Sequence, residues 1–102
     1  MRVSARLAEL RILQNRADAL RKELGINRPG EVIFLASYDG LDDDIVIVEA
    51  DGFGGATTRI VEGNYPVDYV TKFERSFPSE RQAEAVAEKV AFDGISPRRV
   101  LE

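Results

Sequence analysis

The sequence predicts an α+β domain with the element order α-β-β-β-β-α, a four-stranded antiparallel sheet with two helices packed on one face. Three observations carry this. Residues 3–24 place apolar side chains at helical spacing with no Gly or Pro among them. Residues 31–76 hold four runs of strand-forming residues separated by short turns. Residues 79–92 return to helical spacing. Strands joined by short turns pair as antiparallel neighbours, because parallel pairing needs long crossovers.

In the first helix Val3, Leu10, Ala17 and Leu24 recur every seven residues, Leu13 and Leu20 fall at the matching second position, and Leu7 widens the stripe. Spacings of three and four put them on one face. Gly25 suits the left-handed C-cap and Ile26 folds back towards Leu20. The repeat is nearer 3.5 than 3.6 residues, the period that keeps a seam against a partner helix. Two readings stay open: an amphipathic helix laid across the sheet, or a helix paired with its symmetry mate through Val3, Leu10, Leu13, Ala17, Leu20 and Leu24. Arg6 and Gln14 interrupt the seam. The second reading makes the protein a two-fold homodimer.

Val32-Ile33-Phe34-Leu35-Ala36 is apolar on both faces and reads as a central strand. Ile45-Val46-Ile47-Val48 is the second strand and Thr57-Thr58-Arg59-Ile60-Val61 a short third. A fourth alternates Val67, Tyr69, Thr71 and Phe73 with Asp68, Val70, Lys72 and Glu74, one face buried and one wet. Asp39-Gly40, Asp51 to Gly55 and Gly63 to Pro66 are turns. Ser79 and Gln82 form a capping box at the start of the last helix, whose stripe is Ala83, Val86, Ala87, Val90 and Ala91. Gly94 ends it. The expected core includes Leu10, Leu13, Leu20, Phe34, Ile47, Val70 or Phe73, Val86 and Val90. All of residues 1–102 form one domain on this reading.

Composition narrows the function. The 102 residues include no Cys and no His, which removes thiolate chemistry, disulfides and the commonest general bases and metal ligands. No serine lies in a nucleophile-elbow pattern. The expectation is a protein that is not an enzyme and holds no cofactor or metal. No apolar run reaches the 18 residues or so of a membrane span, and Met1 to Arg6 lack the apolar stretch of a signal peptide, so a cytoplasmic site is expected. The net charge of −4 hides an asymmetry: residues 1–29 sum to +4 and residues 30–102 to −8. A basic arm on an acidic body suits charge-steered association.

Four features bear on binding. Asp39, Asp42, Asp43 and Asp44 crowd one turn; a solvated acidic turn is favoured over a hard-cation site, since the spacing is not that of an EF-hand loop. Gly52-Phe53-Gly54-Gly55 precedes a strand, whereas a phosphate loop precedes a helix, so a hairpin with a left-handed glycine or a bulge is favoured. Phe53 at its tip either tucks into the core, the favoured placement, or is displayed. Arg59, Lys72 and Arg75 with Tyr38, Tyr65 and Tyr69 could make a patch for an anionic metabolite or nucleotide; cross-strand pairing with Glu49, Glu62 and Glu74 is favoured. Around the first helix the basic residues form no single stripe, Arg11 and Lys22 lying opposite the apolar face, which disfavours a nucleic-acid surface.

The helix–strands–helix order, with Ser79 to Ala91 as an alanine-rich closing helix, resembles the topology of double-stranded-RNA-binding domains. In that family the last helix opens on a Lys-rich cluster that grips phosphate. Here Ser79-Glu80-Arg81-Gln82-Ala83-Glu84 is net acidic, so those contacts do not carry over. Two functions follow as expectations. The favoured one is a small binding or regulatory protein, such as an inhibitor, that docks its acidic body onto a protein partner. The other is a small-ligand binder using Tyr38, Phe53, Arg59, Tyr65, Tyr69, Lys72 and Arg75.

Overall fold

A computed structural model describes residues 3–37 and 44–95. The order is α1 (Val3–Leu24), β1 (Val32–Ser37), β2 (Asp44–Ala50), β3 (Ala56–Asn64), β4 (Asp68–Phe77) and α2 (Glu80–Asp93). The strands form one antiparallel sheet in chain order, β1-β2-β3-β4. The α+β class and the meander are as the sequence predicts.

The packing of the helices differs from expectation. α2 lies across the sheet, touching all four strands, whereas α1 forms no packed interface with the sheet or with α2. No residue of α1 is buried. Leu10, Leu13 and Leu20, expected in the core, are more than half exposed. The physical reason is that α2 already closes the face of the sheet on which the core forms. Val46, Val48, Ala56, Ile60 and Phe77 close against Ala83, Val86, Ala87, Val90 and Ala91, with Ile33, Phe34, Ala36 and Phe73 at the margin. An apolar stripe specifies that something covers it, and not what does.

Two strands are also corrected. β1 lies at the edge of the sheet, not at its centre, and its outward Val32 and Leu35 are exposed. The central, fully buried apolar run is β2, where Val46, Ile47 and Val48 have no exposed surface. β4 is the other edge, and its face is wetter than the alternation suggests: Val70 is exposed and Phe73 only half-buried. Edge strands have a neighbour on one side only, so apolar content alone cannot rank a strand as central.

Local signals hold well. Ser79 is the N-cap of α2, its side chain accepting from the Gln82 amide at 3.1 Å. Gly94 ends α2 in the left-handed conformation, φ 64°. The radius of gyration is 16.6 Å, against about 13 Å for a compact chain of this length. The difference is α1, a rod of roughly 33 Å at 1.5 Å per residue, standing off a body built from the sheet and α2.

Candidate functional site

α1 is held at its C-terminal end and free along the rest. Gly25, at φ 73°, lets the chain turn, and the Ile26 amide donates back to the Arg21 carbonyl at 2.9 Å. Asn27 then donates through its backbone amide and its Nδ2 to the two carboxylate oxygens of Glu80, at 3.0 and 2.7 Å. The Gly30 amide donates to the Ala50 carbonyl, and the Ala50 amide to the Glu31 carbonyl. The link between helix and sheet is therefore hydrogen-bonded to both β2 and α2 and is not a free tether.

A second set of contacts fixes the last turns of α1. Arg21 Nε donates to the Gly52 carbonyl at 2.9 Å. Asp18 accepts from Arg21 at 3.2 Å and pairs with Arg28 at 3.5 Å. Gly52 sits at φ +86° with Pro29 so close that a Cβ would lie 2.7 Å from its Cδ. The loop around it is shaped by Asp51, whose Oδ1 accepts from the amides of Phe53 and Gly55. This is the expected hairpin with left-handed glycines, and the strand β3 follows it.

Phe53 departs from the favoured expectation. It is 84% exposed, with the Arg21 guanidinium 6.0 Å from its ring centroid. A five-residue loop held by Asp51 has no reach into a core already filled by α2. Phe53 instead forms one wall of a shallow apolar groove with Gly52, Ile26 and the Ala17, Leu20 and Leu24 side of α1. Beyond the groove the stripe continues uncovered: Val3, Leu7, Leu10 and Leu13 are all more than half exposed.

The sheet face opposite α2 carries the other candidate residues. Register places Val32 and Leu35 of β1, Ile45, Ile47 and Glu49 of β2, and Thr57, Arg59 and Val61 of β3 there. Arg59 bridges three strands, Nη1 to Glu49 at 2.7 Å and Nε to Glu74 at 2.6 Å. Partial burial acts to lower its pKa, but the hydrogen bonds and charges of Glu74 and Glu49 outweigh that and leave it raised. The Tyr65 hydroxyl donates to Glu49 at 3.4 Å, and its ring stacks at a tilt on Tyr69, centroids 5.1 Å apart. Glu49 pairs in register with Thr57. On a straight strand, residues 57 and 65 would lie about 26 Å apart, so the β3–β4 hairpin curls back over this face. Ile47 and Val61 are fully buried although no helix covers them.

The proposed patch is thus divided. Arg59, Tyr65 and Tyr69 come together on the open face. Lys72 pairs with Asp44 at 2.9 Å and Glu62 at 3.5 Å; register puts Glu62 and Asp44 on the α2 side of the sheet. Arg75 pairs in register with Thr58, whose hydroxyl reaches α2, and its guanidinium lies 6.0 Å from the Phe77 ring centroid. Phe53 belongs to the α1 groove. Tyr38 lies outside the described residues, as do Asp39, Asp42 and Asp43. The favoured cross-strand pairing is what Arg59 and Lys72 adopt. Among the described residues no three His, Cys, Asp or Glu converge as a metal site, and no helix is long and apolar enough to cross a membrane.

Sequence reasoning passed over the Asn27–Glu80 clamp, whose partners are 53 residues apart with no local signal to join them. It also passed over Ile26 and Gly52 as groove residues. No family model, no curated protein and no solved structure matches this chain. The resemblance to double-stranded-RNA-binding domains stays at the order of the elements, since α1 does not lie beside α2 on the sheet.

Proposed function

We propose that this chain is a non-catalytic binding or regulatory protein that acts by docking onto a protein partner, with α1 as its docking element; inhibition of that partner is one form such docking takes. The observation that carries the reading is the uncovered stripe of α1 beside a core that closes without it. Burying a leucine side chain is worth about 1.5–3 kcal/mol, so five leucines left half in water are a strong drive to associate. Exposed apolar surface that is contiguous and rimmed by charge marks an interaction site. Arg16 and Arg21 lie on either side of the stripe and supply that rim, and the +4 sum of residues 1–29 favours an acidic surface opposite. A chain without cysteine suits the reducing cytoplasm.

The ligand-binding reading has less to support it. An anion at Arg59 would have to displace both Glu49 and Glu74, and one at Lys72 would displace Asp44. The two are on opposite faces of the sheet.

Affinity purification from native cells tests the proposal, using the tagged wild type and a Leu13→Glu/Leu20→Glu variant with an unchanged circular dichroism spectrum. A protein retained by wild type and lost from the variant is the expected result. A small ultraviolet-absorbing molecule held equally by both, with no protein dependent on α1, would overturn the docking reading.

A further inference from the structure

We propose that α1 pairs with the α1 of a second copy in an antiparallel coiled coil, about a two-fold axis passing near Ile12; this rests on the reading of α1 as the docking element. The heptad that begins at Val3 places Val3, Leu10, Ala17 and Leu24 at a, and Arg6, Leu13 and Leu20 at d. The flanking g positions are then Glu9, Arg16 and Glu23, alternating in sign, and the e positions are Leu7, Gln14 and Arg21. Flanking charges choose the partner's direction and register.

In a parallel pair each g residue meets the e residue of the next heptad. Glu9 would face Gln14, and Arg16 would face Arg21, twice over. No contact attracts and two repel. A parallel pair would also bring both acidic bodies out side by side at the C-terminal ends. In an antiparallel pair g meets g. Setting Leu10 against Leu13 of the second copy places Glu9 opposite Arg16 and, by symmetry, Arg16 opposite Glu9.

Other antiparallel registers fail on the same charges. A shift of one heptad in one direction sets Glu9 against Glu23 and Arg16 against its own copy. A shift in the other sets Glu9 against itself. In the favoured register Val3 stacks on Leu20, and Arg6 falls opposite Ala17, whose small side chain leaves room for the arginine stem to reach water. Val3 of the second copy then arrives beside the groove lined by Leu20, Ile26 and Phe53. The two acidic bodies sit at opposite ends of the coil, each next to the basic start of the other helix.

Sedimentation equilibrium of the full chain tests this with wild type, Glu9→Arg, Arg16→Glu and the double variant. Wild type is expected to dimerise at high micromolar concentration. Each single variant turns two attractive contacts into two repulsive ones and should weaken the dimer about tenfold. The double variant restores opposite signs and should recover most of that affinity. Glu9→Arg also removes a 3.2 Å bridge from Arg6 within the helix, but rescue by Arg16→Glu cannot come from that intrahelical pair. A monomeric wild type overturns the proposal, as do single variants that dimerise normally or a double variant no better than the singles. A monomeric wild type that still retains a protein through Leu13 and Leu20 would overturn the self-pairing alone and leave the docking reading standing.

Discussion

Thr58 sits in β3 with 1% of its surface exposed, and its hydroxyl donates to the Ala83 carbonyl of α2 at 2.9 Å. This bond joins sheet to helix inside an otherwise apolar layer. Thr58→Val keeps the volume and the strand preference but removes the donor. A net cost of about 1 kcal/mol is expected, read from the urea midpoint. Tyr65 gives a prediction in pH. Its phenol is held above its ordinary value near 10, first by partial burial and then by the charge of Glu49. A raised folded-state pKa means that the contribution to stability is complete below pH ~10 and is lost as the pH rises through the raised value. Lys72, raised chiefly by its hydrogen bond to Asp44, acts in the same direction. Glu49→Gln should therefore move the ionisation of Tyr65 to lower pH, followed by nuclear magnetic resonance of its ring.

At the scale of elements, local chemistry was legible and what lies against each element was not. The cap at Ser79 is visible in the sequence because it depends on residues three apart. Ser79→Ala should cost about 1 kcal/mol, read as a fall in thermal midpoint. The strand runs are visible for the same reason: alternation and β-branching belong to the chain itself. The edge position of β1 is not visible, because Val32 to Ala36 would look the same with a neighbour on either side. The free stripe of α1 hides in the same way. Its seven-residue repeat fits a helix on its own sheet and a helix on another chain equally well, and only the closure of the core by α2 separates the two. In the candidate patch, the pairing of Arg59 with Glu49 and Glu74 could be foreseen from strand order. The placement of Lys72 could not, because the register shifts between Ile60 and Val61 opposite it.

The whole molecule divides into a body that carries the core and a helix that carries the exposed apolar surface. The buried cluster draws on β2, β3, the end of β4 and α2, and takes nothing from α1. What α1 gives the body is a short set of contacts near its end: the Arg21 bond to the Gly52 carbonyl, the Asp18 bridge to Arg28, and the cover that Leu20 and Leu24 give one side of Phe53. The clamp of Asn27 on Glu80 lies beyond the helix and survives its removal. Deleting residues 1–24 should therefore leave a chain that still melts cooperatively. One charge-assisted bond and one partly exposed ion pair amount to about 1–2 kcal/mol. In a domain of this size that corresponds to a fall in thermal midpoint of roughly 4–16 °C. Differential scanning calorimetry of the shortened chain checks this. A broad, non-cooperative transition would show that α1 belongs to the folding unit after all, and that its apolar stripe stabilises the body in a way the packed core does not reveal.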